Sequence, residues 1–311
     1  MEIFKAVLYI LVGAAGVIWA ADRFTDGAAN LAYRFHIPPV IVGLTVVAFG
    51  TSAPELFVSL MSAVQGSSAM AVANVIGSNI FNVFCIGGIT AAVTAVDVSR
   101  ETLRRDIPVV LVTSLLLVVL NGDGRLSFAD GALLFISFIG YTLWLIRSAM
   151  KVPQPQAADI AVRSFSWSIF GILLGLAGLV LCSSLFVQGA SAVAGYLGVS
   201  DAVIGLTIVA GGTSLPELAT SVVAARKGQS ALAIGNVIGS CVFNILLILG
   251  LTGMVCPLTI EGITWLDYVM MTMGTVLFGL FCSSRRRLSR AEGWILLLLF
   301  IAYMVWLVAT A

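Results

Sequence analysis

The sequence predicts an all-α polytopic membrane protein of ten transmembrane helices, arranged as two inverted five-helix repeats. Three observations predict it. Hydrophobic residues make up 60% of the 311-residue chain and charged residues only 10%, where soluble domains carry roughly a quarter charged, so lipid has to be the solvent. Residues 43–90 align without gaps to residues 205–252 at an offset of 162, and 27 of the 48 positions are identical. Five spans in each half, an odd number, place the two copies in opposite orientations across the bilayer.

In chain order the apolar runs predict spans at 3–33, 38–65, 69–92, 107–120 and 127–149, then at 164–197, 200–226, 229–253, 262–282 and 291–310. Near the N-terminus, Trp19-Ala20-Ala21 loosely resembles a leader cleavage site. The segment runs on, however, into Asp22, Asp26 and a Gly/Ala-rich stretch that returns later, so it reads as a retained first span. The first and sixth spans are long enough to require a strong tilt. Residues 1–150 form the first repeat, with its motif at 43–90. Residues 151–163 form a linker, opened by the KVPQPQAAD composition, and 164–311 form the second repeat, with its motif at 205–252.

With ten spans, the loops on one side hold Arg34, Arg100, Arg104, Arg105, Arg147, Lys151, Arg163, Arg226, Lys227, Arg285, Arg286, Arg287 and Arg290. The other side holds Lys5 and Arg125, and Arg23 falls within the first span. The cation-rich side is cytoplasmic by the positive-inside rule, so both termini are expected outside the cytoplasm, in a cell inner membrane. A net charge of +1 and no dense basic run argue against a nucleic-acid surface. Cys85, Cys182, Cys241, Cys256 and Cys282 lie in or beside apolar stretches without a CxxC pair, and read as packing residues.

Two carboxylates break the apolar pattern. Glu55 and Glu217 fall mid-span at equivalent places of the two repeats, where a charge costs about 2.5–3.5 kcal/mol. No Lys or Arg lies deep in a span to pair with them apart from Arg23 toward the end of the first, which points to a metal ion as the partner. Thr51 and Ser52 sit beside Glu55, as Thr213 and Ser214 sit beside Glu217. Pro54 and Pro216 lack an amide hydrogen for the carbonyls of Gly50 and Gly212, so each span should bend there and free backbone oxygens. In the following spans Asn74, Ser78 and Asn82 recur every fourth residue, as do Asn236, Ser240 and Asn244, lining one helix face. Asn74, Asn236, Gly77 and Gly239 read as packing, and Ser78, Ser240, Asn82 and Asn244 as oxygen donors. The only histidine, His36, is in a loop. An all-oxygen set with two carboxylates suits sodium, calcium or magnesium, and flexible ligation favours calcium over magnesium.

The duplicated motifs, GTSAPE with GTSLPE and ANVIGS with GNVIGS, resemble the α-repeats of the sodium/calcium exchanger family within the cation/calcium antiporters. The short linker is similar to compact prokaryotic members. That resemblance implies ions bound at mid-membrane between the second, third, seventh and eighth spans, with Glu55 and Glu217 as ligands common to calcium and sodium. It further implies hydroxyls from Thr51, Ser52, Thr213, Ser214, Ser78 and Ser240 and backbone carbonyls from Ala48 and Ala210. The first and sixth spans would slide across this core. Calcium and sodium would be transported substrates, with no resident cofactor. Two positions depart from the motif: Ala73 replaces a glycine, and Asn79 is answered by Cys241. Both read as packing changes. Asn244 stands where some members, the potassium-dependent exchangers among them, carry aspartate.

Other readings remain open on the residues alone. Two neighbouring carboxylates could take up a proton, as a calcium/proton antiporter requires. A cation channel would want a ring of carbonyls or carboxylates, whereas bent helices in inverted repeats fit alternating access. An enzyme would need a nucleophile–base pair or metal-bound water, and neither HExxH nor GxSxG occurs. Counter-ion, stoichiometry and oligomeric state are not legible.

Overall fold

The computed structural model describes residues 2–149, 164–198, 210–260 and 262–310. The first half contains α1 (Glu2–Arg34), α2 (Pro39–Thr51), α3 (Ala53–Val64), α4 (Ser68–Val93), α5 (Ile107–Leu120) and α6 (Phe128–Ala149). The second contains α7 (Phe165–Tyr196), α8 (Ala210–Thr213), α9 (Leu215–Arg226), α10 (Ser230–Val255), α11 (Trp265–Ser284) and α12 (Arg290–Thr310). Among the described residues, seven helices are long and apolar enough to cross a membrane, and the bent pair α2–α3 makes an eighth.

The ten expected spans are therefore not all met in that form. The span expected at 107–120 is the 14-residue α5, about 21 Å long and too short to cross alone. A π-helical turn, Thr102–Asp106, runs into it from the loop side. The span expected at 200–226 is seen as α8 and α9, and its first part, 200–209, lies outside the described residues, as does the expected linker at 151–163.

Apolar side chains cover the outside of the bundle as well as filling its core. The peripheral α6 and α12 expose Leu133, Ile136, Leu143, Leu298, Ile301 and Val305, as a lipid-facing surface requires. Within that apolar core lie the polar residues Thr51, Ser52, Glu55, Asn82, Ser214, Glu217, Ser240 and Asn244. At its centre runs α10, buried along its whole apolar stretch.

Contacts between the halves are reciprocal under the 162-residue offset. Helices α1 and α7 lie antiparallel, fitted by glycine. A Cβ on Gly13 would come 2.6 Å from the Phe186 nitrogen, and one on the equivalent Gly175 would come 2.6 Å from the Phe24 nitrogen. Gly27 meets Ser168 and Ile172 in the same way as Gly189 meets Ala6 and Ile10. Where connecting segments leave the bundle, β1 (Val96–Asp97) pairs antiparallel with β4 (Arg287–Leu288), and β2 (Arg125–Leu126) with β3 (Leu258–Thr259). Each short ladder thus joins one half to the non-equivalent strand of the other, the self-complementary pattern of a two-fold relation.

Tight turns after α3 and α9 match as well. Gly66 and Gly228, at φ of 84° and 75°, each take the left-handed conformation. The next residues, Ser67 and Gln229, donate back to Ser62 and Ala224, closing a Schellman turn that side chains with a Cβ rarely enter. Lys227, beside that second turn, forms ion pairs of 2.6 and 2.7 Å with Asp22 and Asp26 of α1.

Candidate ion-binding site

The site begins at two breaks. Between α2 and α3 the axis bends by 46°, at Ser52 (φ −83°, ψ 6°). Ser214, between α8 and α9, has nearly the same conformation (φ −91°, ψ 7°). Pro54 and Pro216 follow two residues later, and their missing amide hydrogens explain why the helices break there. Each break puts a glutamate in the first turn of a new helix, Glu55 in α3 and Glu217 in α9, where helix dipoles favour an anion.

Both carboxylates are 1% exposed. Their polar contacts cross between the halves. Ser52 Oγ donates to Glu217 Oε1 at 3.0 Å, and Ser214 Oγ donates to Glu55 Oε1 at 2.9 Å. Thr51 also interacts with the Glu217 carboxylate, and Thr213 with that of Glu55. The remaining oxygens, Glu55 Oε2 and Glu217 Oε2, are buried and have no hydrogen-bond partner. Neither glutamate takes part in an ion pair among the described residues.

Helices α4 and α10 brace this centre. Asn74 Nδ2 donates to Ser59 Oγ at 2.9 Å and to the Glu55 carbonyl at 3.4 Å. Asn236 Nδ2 does the same to Ser221 Oγ at 2.9 Å and to the Glu217 carbonyl at 3.2 Å. These asparagines hold the glutamate backbones in place. Ser59 and Ser221 went unread in the sequence, although both lie four residues beyond their glutamate in identical positions of the repeat.

The other expected donors divide into engaged and free. Thr51 Oγ1 donates to the Val47 carbonyl at 3.0 Å and lies 3.1 Å from Asn236 Oδ1. The Ala48 carbonyl accepts from the Ser52 amide at 3.0 Å. Ala210 opens α8, and its side chain lies outside the described ones. Ser78 is 5% exposed. Ser240 Oγ, Asn82 Oδ1 and Asn244 Oδ1 are buried acceptors without a partner. Asn82 and Asn244 sit within π-helical stretches, Phe81–Ile86 and Phe243–Leu249, a local unwinding often found at functional sites. Hydropathy gave no sign of it.

Buried oxygens normally find a donor, and each unsatisfied one carries a desolvation cost of about 1–3 kcal/mol. Here five oxygens of the expected ligands, two carboxylate, two amide and one hydroxyl, have no donor. Among the described residues no group of three or more His, Cys, Asp or Glu is placed to hold a metal ion, so a cation held here would be bound by oxygen from two carboxylates, amides and hydroxyls. Such a set suits hard cations.

Comparison with known proteins identifies the family. The pattern described as sodium/calcium exchanger protein matches residues 5–147 and again 167–309. A candidate antiporter of Alkalimonas amylolytica, CaxA, is 40% identical over 309 residues, covering 96% of this chain and 97% of its own. The sodium/calcium exchanger MaX1 of Methanosarcina acetivorans is 31% identical, covering 96% and 97%. Among solved structures, the sodium-calcium exchanger NCX_Mj soaked with zero Na+ and Ca2+ superposes with a TM-score of 0.86 at 30% identity, covering 98% of this chain and 99% of that one.

Proposed function

This chain belongs to the sodium/calcium exchanger protein family, and from that premise we propose that it exchanges calcium for sodium across a cell inner membrane by alternating access. Multi-pass membrane antiport of cations comes with the family, and sodium as the counter-ion is the finer reading. The observation that carries it is the pair of buried, symmetry-related carboxylates, each with one oxygen hydrogen-bonded across the repeats and one without a partner.

The two negative charges of Glu55 and Glu217 match one calcium ion. Sodium ions can use the same oxygens, with Thr51, Ser52, Thr213, Ser214, Ser78, Ser240, Asn82 and Asn244 and the carbonyls of Ala48 and Ala210 completing their shells. Occupancy by one ion then excludes the other, and competition at one site enforces exchange when the empty carrier cannot readily change sides. Ten spans in two inverted repeats, with α1 and α7 sliding as a pair over the core, would expose the site alternately to each side. The interlocked glycines of α1 and α7 support their moving as one unit.

Equilibrium binding tests the common site. Radioactive calcium bound to the purified protein should be displaced by sodium, with an apparent calcium affinity that falls as sodium rises. Calcium binding indifferent to sodium would defeat the reading.

A further inference from the structure

We propose that Asn79 is a positioning residue: it fixes the amide of Asn244 so that the carbonyl oxygen of Asn244 remains available to the cation, and thereby sets calcium affinity. The inference rests on the reading that Asn244 lines the ion site.

An asparagine amide presents a donor on one side and an acceptor on the other, and a neighbour must decide which way it faces. Here a backbone carbonyl decides. Asn79 Nδ2 donates to the carbonyl of Cys241 at 3.2 Å. A backbone carbonyl can only accept, so the Asn79 atom facing it must be nitrogen and the other must be oxygen. Asn79 Oδ1 in turn accepts from Asn244 Nδ2 at 3.0 Å. An amide oxygen can only accept, so the Asn244 atom facing it must also be nitrogen. Asn244 Oδ1 is thereby turned away from Asn79 and left as a buried acceptor without a protein partner. It lies on the helix that carries Asn236, which holds the Glu217 carbonyl. Both asparagines are buried, Asn79 at 2% and Asn244 at 1% exposed, so water does not readily replace the missing contact.

The arrangement belongs to one half only. The position equivalent to Asn79 is Cys241, whose thiol, in place of an amide, meets the side chain of Asn82. The two repeats therefore support their site asparagines differently.

The test is equilibrium binding of radioactive calcium to the purified full-length protein, which needs no assumption about the counter-ion. Asn79→Leu should weaken calcium binding about tenfold. In an Asn244→Asp background the same change should alter affinity less than about twofold, because a carboxylate offers oxygen whichever way it is turned. Equal weakening in both backgrounds would mean that Asn79 acts through packing, and no weakening in either would mean that it does not act at all. Either result overturns the proposal. Asn244→Leu serves as the separate check. If calcium affinity survives it, Asn244 is not a ligand, and the site reading fails at that residue together with this inference. Should Asn79→Leu not yield folded protein, Asn79→Cys replaces it, since the second repeat accommodates cysteine at the equivalent place.

Discussion

Glu55 and Glu217 are held by serines that belong to the opposite repeat, Ser214 and Ser52. Neither carboxylate is complete without the other half of the chain, and each keeps one oxygen free of protein donors. Replacing either glutamate by glutamine preserves shape but removes one of the two charges that balance a divalent cation. We expect Glu55→Gln and Glu217→Gln each to weaken calcium binding by at least about a hundredfold, with the protein still monodisperse in detergent. Transport near the original level in both variants would exclude the paired-carboxylate site. The serines should behave as a matched pair. A hydrogen bond to a charged group contributes about 1.5–3 kcal/mol, so Ser52→Ala and Ser214→Ala should each reduce calcium affinity more than about tenfold, and to a similar extent. A loss confined to one of them, measured by the same binding assay, would show that the reciprocity of the bonds is not functional.

Helices were easier to read than the turns within them. Apolar runs placed α6, α10, α11 and α12 within a few residues, because lipid exposure demands continuous hydrophobicity. Pro54 and Pro216 marked the breaks for a local chemical reason. The π-helical stretches at Phe81–Ile86 and Phe243–Leu249 were not legible, since one extra residue in a turn changes neither hydropathy nor composition. Nor were the ladders joining Val96–Asp97 to Arg287–Leu288 and Arg125–Leu126 to Leu258–Thr259, whose two residues are too few for a periodic pattern. Nor was the contact of Asn79 with Asn244 and the Cys241 carbonyl, because it joins atoms of the two repeats far apart in the chain. The glycine seam between α1 and α7 makes an element-scale prediction. A side chain on Gly175 has to enter the space held by the backbone of Phe24, and overpacking of this kind costs about 1–3 kcal/mol. Gly175→Val should lower the thermal transition of the purified protein by several degrees. Gly140→Val, placed where nothing lies within 4 Å, should leave it unchanged, and equal transitions for the two variants would argue against a tight seam.

Across the described residues each half finishes contacts that the other begins: the ladders, the glycine seam and the carboxylate bonds all follow the 162-residue offset. Cation placement in the loops adds an orientation. The positive-inside rule predicts both termini outside the cytoplasm, so reporter fusions at Met1 and Ala311 should give signals only from the non-cytoplasmic side, and a cytoplasmic signal from either would require a different number of spans. Asn244 bears on ion choice. In the proposed site a neutral amide would offer a cation one oxygen where an aspartate would offer two with a charge, so potassium, which needs more ligands than sodium, would have less to bind. The central claim is sodium-coupled calcium transport, and its most direct test is radioactive calcium uptake into sodium-loaded proteoliposomes, with equal pH and with choline replacing potassium on both sides. The account predicts uptake that grows with the outward sodium gradient and stops when that gradient is dissipated. Uptake that vanishes without potassium, or that follows only an imposed proton gradient, would contradict it.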